Sequence, residues 1–600
     1  MKSFFAIAAA AAFACSVQSA NAQTRGYYQT PSLGDEALVF SSEGDLWRAA
    51  VTGGTATRLT THSETEVSPK LSPSGERVAF DASYDGPGEI YIMPVTGGTP
   101  QRVTFEGGGV SVRGWLDDDT LIYRSTNVPG TIPMVLRTVT LSTGEVSDIP
   151  LADMDQAALS EDGQTLFFTR YGLSLFNDNA IMYRGGRMAQ LWRYELGSDA
   201  EATRLAADFG APIRNPMVWQ GRVYFISDKS GADNIWSMSG DGGDIRQHTA
   251  SETGLMKTPD LHNGQIIYQS GADLFLYDIE DDATEMLSLF LMSDSDYKRP
   301  RWLPSPLQYL ESAQIAPAGK SVTLTARGRF VRAFTRDRRR IEFTVPDGYR
   351  ARYAVISGNN EWVYAILDGG TRGEIWRFNV DGLDDGEPVT DGSDSYIWAI
   401  YPVPESGDFL YSDKRGRLFY HDTEAGRSRE VDRTESSNDL AFGEFNWSPD
   451  QRYVAYTMYD GRDLSQITLL DTDTNEKTLL TSGKYESFAP AFSRDGDWLY
   501  FISNRNFNAS PGSPWGDRNL GPAFSERGKI YALQLDPEAE FPFRHRDELA
   551  LRSEDDDDED EDTSEDEEAD DESSNTDASD DEAVNIEFDG LTSRLWEVPV

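Results

Sequence analysis

Runs of five or six residues in which apolar and polar positions alternate recur along most of this 600-residue chain. In Arg77-Val78-Ala79-Phe80 the period is two, which turns successive side chains to opposite faces of a β-strand. Several runs follow a turn rich in Ser, Asp, Pro and Gly, as in LSPSGERVAF (71–80), LSEDGQTLFF (159–168), FNWSPDQRYVAY (445–456) and FSRDGDWLYF (492–501). Glycine supplies the positive φ such turns demand, and Ser or Asp hydrogen-bonds the local backbone. Partner segments such as GEIYIMPVTGGTPQRVT (88–104), DNIWSMSGDGGDIRQHT (233–249) and GEIWRFNV (373–380) add further strands. Four short strands repeated about every forty residues predict β-propeller blades.

Six units are countable before a break. They carry residues 37–51, 67–104, 112–141, 158–205, 216–249 and 259–287, the fourth interrupted by YGLSLFNDNAIMYRGGRM. The stretch SDSDYKRPRWLPSP (293–306) reads as an interdomain linker. Further units begin near Leu310, Arg350, Tyr396, Asp439 and Ser487, and IEFDGLTSRLWEVPV (586–600) resumes strand alternation. The chain therefore reads as all-β, with two consecutive propellers: six-bladed over 27–290, a linker at 291–308, and an incomplete ring over 309–600. That second ring is expected to hold five blades plus the start of a sixth. Trp47, Trp192, Trp236 and Trp376 recur at one place in the repeat and are expected to fill the space between blades.

Charge and processing signals change the picture in two places. The net charge is −47, and 20 of the acidic residues fall between Glu554 and Glu582 with no basic residue among them. That composition reads as a disordered insertion over 553–584. An acidic surface argues against nucleic acid and anionic lipid as partners. At the other end, Lys2, the apolar run 4–14 and Ala20-Asn21-Ala22 form a secretory signal over 1–22, and no later window is long enough for a membrane span. The expected location is the periplasm, with a lipid anchor on Cys15 as the alternative. Cys15 is the chain's one cysteine, so the processed chain would hold neither disulfides nor a thiol nucleophile.

No chemistry-bearing motif stands out. His62, His248, His262, His421 and His545 have no zinc spacing, and neither a Gly-x-Ser-x-Gly elbow nor a phosphate-binding or dinucleotide-binding glycine loop occurs. Asp471-x-Asp473-x-Asn475 begins like a calcium loop but lacks its glycine and distal glutamate, so a blade turn is the better reading. No catalytic, cofactor-binding or metal-binding residue is assigned, and no cofactor is expected.

Four segments go beyond the generic repeat: MYRGGRMAQLWRYEL (182–196), YFISDKSGADNIWSM (224–238), APAFSRDGDWLYFIS (489–503) and the terminal IEFDGLTSRLWEVPV. With the two series of blades, they make residues 27–600 resemble the N-terminal region of the tricorn proteases, the S41 group of serine peptidases. That resemblance implies a six-bladed and then a seven-bladed propeller that admit unfolded peptides to a proteolytic chamber. Catalytic serine and histidine would lie in further domains, so this chain is expected to gate substrate and to be inactive alone, in an assembly that is a homo-oligomer. By family analogy alone the location would be cytoplasmic. The alternative reading is a stand-alone periplasmic propeller, similar to TolB, that binds proteins or peptides.

Overall fold

The structure, a computed structural model, describes residues 26–599 except 129–133, 171, 173–179, 253, 295–299, 301, 304, 370–372, 391, 437–440, 463, 507–527 and 545–582. The signal over 1–22, Cys15, His545 and residues 553–582 lie outside the described residues. Described secondary structure is strand throughout, apart from 3-10 turns at Pro306–Tyr309 and Leu591–Ser593. Two compact units divide the chain: 1–180 with 188–303, and 304–600 with 181–187.

The first unit contains six antiparallel sheets, each strand pairing with the next in sequence. Their innermost strands are Gln29–Leu33, Glu66–Leu71, Val110–Asp117, Met154–Leu159, Arg214–Trp219 and Lys257–His262, which begin blades 1 to 6. Six hydrophobic clusters join the blades in a cycle. Met93 of blade 2 packs with Val39 of blade 1, and Leu276 of blade 6 packs with Trp47 of blade 1. The ring is locked by Leu289–Leu291, a fifth strand that pairs in parallel with Gly53–Arg58 at the outside of blade 1. Leu291, the first residue assigned to the linker, thus belongs to the propeller. Gly53 has φ +85°, and a Cβ there would stand 2.8 Å from the Ser288 carbonyl oxygen, so a side chain would obstruct the closure.

The second unit holds five sheets, blades 7 to 11, starting at Leu310–Ile315, Arg350–Ile356, Ile397–Pro402, Phe442–Trp447 and Ser487–Phe492. Among the described residues four clusters join them in order. One expectation is corrected here. Leu595–Glu597 does not start a sixth blade; it pairs antiparallel with Lys529–Gln534 and is the fourth strand of blade 11. The acidic tract interrupts that blade between its third and fourth strands, which separates in sequence what the sheet brings together. The tract also ends earlier than composition suggests. Val584 is buried, donates its amide to Asp450 Oδ2 at 2.9 Å and joins the core between blades 10 and 11.

The repeated residues have repeated jobs. The Ser that opens the turn accepts the amide five residues later: Ser160 from Thr165 at 2.8 Å, Ser448 from Tyr453 at 2.9 Å and Ser493 from Trp498 at 2.9 Å. It also donates to the Asp two residues on, as Ser160 does to Asp162 at 2.5 Å. In several units a Thr at the end caps the next-inner strand. Thr104 Oγ1 accepts the Ile90 amide at 2.9 Å and donates to Glu89 at 2.5 Å. Thr249 does the same with Ile235 and Asn234, and Thr390 with Ile375 and Glu374. These bonds satisfy buried backbone groups where the short fourth strand runs out. Trp47, Trp192, Trp236 and Trp376 all pack at interfaces between blades, as the repeat predicts.

Candidate functional site

At the centre of the first propeller the six innermost strands line a cavity of about 580 Å³. Each of those strands is an edge strand, hydrogen-bonded in its sheet on one side only. In blades 1, 2, 5 and 6 the strand carries an X–Pro step facing this cavity: Thr30–Pro31, Ser68–Pro69, Asn215–Pro216 and Thr258–Pro259. All four X residues have positive φ, at 45°, 56°, 53° and 45°. Each step coincides with a shift in register against the second strand, a β-bulge. Proline tolerates such a place because no ladder bond is asked of its nitrogen. Left-handed backbone at a non-glycine costs on the order of 1–3 kcal/mol, so its recurrence in four blades marks a constrained surface.

Charge in the cavity is cross-paired between blades. Lys70 of blade 2 meets Asp260 of blade 6 at 2.6 Å, and Asp260 also accepts from Ser32 Oγ and the Leu33 amide of blade 1, both at 2.8 Å. Arg113 of blade 3 reaches Asp155 of blade 4 at 2.5 Å, and Arg124 stands 3.5 Å from the same carboxylate. Burial, then the neighbouring Arg113, pull the Arg124 guanidinium below its ordinary value. Asp81, on the second strand of blade 2, accepts the Val112 amide at 2.8 Å and Ser111 Oγ at 2.7 Å from blade 3. Desolvation raises its pKa to about 6, against the opposing pull of those hydrogen bonds and of Arg113.

The histidines singled out in the sequence do not converge. His62 lies against Tyr84 with ring centroids 4.2 Å apart. His262 lines the cavity and pairs with Asp35 at 2.8 Å. His248 Nε2 lies 2.7 Å from Ser237 Oγ, and His421 Nδ1 lies 2.9 Å from Ser428 Oγ. Neither Ser–His pair is built for nucleophilic attack. Ser237 is fully buried within its strand and already accepts from Arg222 at 2.9 Å, and His421 is buried and stacked on Phe409 at 4.7 Å. Burial lowers the pKa of both imidazoles. Asp471 is the anchor of a hairpin turn, accepting the amides of Asp473 and Thr474 at 2.9 and 3.1 Å and pairing with Arg452. Among the described residues no group of three or more His, Cys, Asp or Glu is placed to hold a metal ion. Among them, too, no helix is long and apolar enough to cross a membrane.

The arrangement is a cavity with a partly polar wall whose Lys70, Arg113 and Arg124 are paired with carboxylates of other blades. Sequence reading missed its principal parts: the interblade carboxylates Asp81 and Asp260, and the X–Pro bulges. The available signal was an X–Pro step ahead of the second strand in QTPSL, VSPKL, RNPMV and KTPDL, repeated in step with the blades.

Residues 25–283 match the tricorn protease N-terminal β-propeller domain, and residues 310–600 match the tricorn protease second β-propeller domain. The chain belongs to the tricorn protease family. A tricorn protease homolog of Saccharolobus solfataricus is 26% identical over 491 residues, covering 81% of this chain and 44% of the relative. Tricorn protease homolog 1 of Streptomyces coelicolor is 25% identical over 536 residues, covering 86% of this chain and 48% of the relative. This chain thus spans about half the length of the tricorn relatives it matches. Among solved structures, the tricorn protease aligns over 96% of this chain and 53% of its own, with 19% identity and a TM-score of 0.44. A putative TolB from Agrobacterium tumefaciens aligns over 42% of this chain and 84% of its own, with 18% identity and a TM-score of 0.31.

Proposed function

We propose that this chain is the substrate-access region of a tricorn-type serine peptidase, and that the cavity of the first propeller is a passage for unfolded peptides. The observation that carries this reading is the cavity itself. All six innermost strands line it, and its cations are neutralised across blades by Asp155 and Asp260, which leaves a polar wall without a strong ionic trap. Membership of the tricorn protease family supports the same reading. Acyl transfer needs a nucleophile, a base and oxyanion donors converging on one point, and the Ser–His contacts described above lack that convergence. The chain on its own is therefore expected to bind and admit peptides without cleaving them. Export to the periplasm and assembly as a homo-oligomer complete the proposal.

A test uses the scarcity of cysteine. Thr258→Cys, in a chain also carrying Cys15→Ser, places one thiol on the cavity wall. Extended peptides of 20–30 residues are expected to slow its maleimide labelling by about tenfold, while a folded domain of similar mass leaves it unchanged. Equal labelling in both cases would remove the passage reading. Robust peptide hydrolysis by the purified chain would remove the division of labour.

A further inference from the structure

Edge strands around a channel pose a chemical problem for any passage of extended chains. Unpaired N–H and C=O groups on an edge are a template for strand addition, and a peptide that adds as a strand is held by its backbone. Six such edges face the cavity of the first propeller.

On five of the six, however, backbone groups are occupied by side chains from neighbouring blades. The Leu33 amide donates to Asp260 at 2.8 Å, Leu71 to Ser32 Oγ at 3.0 Å, Val112 to Asp81 at 2.8 Å and Asn215 to Gln156 Oε1 at 2.6 Å. Two carbonyls are taken as well: Lys70 O accepts the Trp115 indole N–H at 2.9 Å, and Asp155 O accepts Arg113 Nε at 2.8 Å. Where blades 1, 2, 5 and 6 would still offer a donor, proline removes it, and the left-handed residue before each proline bends the strand out of ladder geometry.

We propose that the inner edges of this propeller are built to refuse strand addition, so that a polypeptide in the cavity makes side-chain and solvent contacts but no backbone ladder. Pro31, Pro69, Pro216 and Pro259, with the hook residues Asp81, Gln156 and Asp260, are the residues that prevent pairing. The inference rests on the passage reading for its purpose, but its physical content is separate: these edges are closed to a further ladder whatever enters. The occupant it fits is an extended, sequence-diverse polypeptide, because a wall that binds no backbone can neither select one register nor retain a β-prone segment.

The test tethers the probe so that binding is assured. A ten-residue alternating Val/Thr peptide with a terminal cysteine is joined by a disulfide to Thr258→Cys in the Cys15→Ser chain, and exchange of its amides is followed by mass spectrometry. Exchange within about threefold of the free peptide is the expected result, since unpaired amides are unprotected. Protection of about a hundredfold or more over alternate amides would show a ladder and overturn the proposal. In the chain carrying Pro31→Val, Pro69→Val, Pro216→Val and Pro259→Val, protection of the same peptide is expected to rise by about tenfold or more. If that variant does not fold, Asp260→Leu, which frees the Leu33 amide, replaces it, and an unchanged exchange rate in the folded variant counts against the proposal. Failure of the passage reading appears elsewhere, as unchanged maleimide labelling of Thr258→Cys by untethered peptides.

Discussion

The hydroxyl of Tyr28 donates to the carbonyl oxygen of Leu289 at 2.5 Å, across 261 residues of chain. Tyr28 is almost wholly buried, its amide donates to Ala272 O of blade 6, and its ring meets Phe40 edge-on at 5.4 Å. One side chain thus ties the first blade to the strand that closes the ring. Tyr28→Phe keeps the ring and orphans the carbonyl, and is expected to cost about 1–3 kcal/mol. Tyr28→Ala empties the site as well and is expected to cost about 3–5 kcal/mol. Urea denaturation of the full chain, followed by a probe in blade 1, checks both values. Equal stability of Tyr28→Phe and the parent would mean that the closing strand holds without this bond.

The Thr that ends several of the repeats is a testable structural unit. Thr104→Val preserves shape but leaves the Ile90 amide without its acceptor and Glu89 without one of its donors. A loss of about 1–3 kcal/mol is expected, against about zero for Thr57→Val, whose hydroxyl lies at the surface. Desolvation would push the Glu89 carboxyl up, but hydrogen bonds led by Thr104 outweigh it and hold the pKa below the ordinary carboxylate value. With a depressed folded-state pKa, its stabilisation is present above the unfolded value and fades as pH falls through the folded one. Thr104→Val should therefore flatten the acid limb of the stability curve, measured as the urea midpoint below pH 5.

Asp81 behaves in the opposite sense. Its folded-state pKa is raised to about 6 from an unfolded value of 3.8, chiefly by desolvation. The folded state then binds more protons than the unfolded state between those values, so this contribution is complete below the unfolded pKa and is lost as pH rises toward 6. Asp81→Asn can still accept the Val112 amide through Oδ1 and carries no titrating group. The expected outcome is a flatter urea midpoint between pH 4 and 6 in the variant than in the parent. A parent profile without that decline would place the Asp81 pKa near its ordinary value.

Removing residues 583–600 distinguishes a fourth strand from the start of a new blade. As the outer strand of blade 11, Leu595–Glu597 covers one edge of Lys529–Gln534, and Val584 and Leu591 fill the core beside it. Truncation is expected to raise dye binding to exposed apolar surface and to promote aggregation through the uncovered strand. Unchanged solubility and unchanged dye binding would mean that the strand contributes nothing to the blade.

These residues also show what was legible in the sequence. Blades were, because Ser160 and Asp162 or Thr249 and Asn234 perform local bonding that any propeller repeat must provide within a few tens of residues. The ring's closure was not: Leu289–Leu291 is three residues long and pairs in parallel, so it has neither the length nor the alternation of a strand signal. Blade 11 was misread because proximity in sequence stood in for proximity in space across the acidic tract. The cavity wall was invisible for a different reason. Proline argues against a strand in a sequence, whereas here it marks the inner edge, and the partners of Asp81 and Asp260 lie 31 and 227 residues away.

The cyclic order of clusters in the first propeller has a thermodynamic counterpart. Every one of its six blades is held on both flanks, so no blade can leave until two contacts fail together, and the ring melts as one cooperative body.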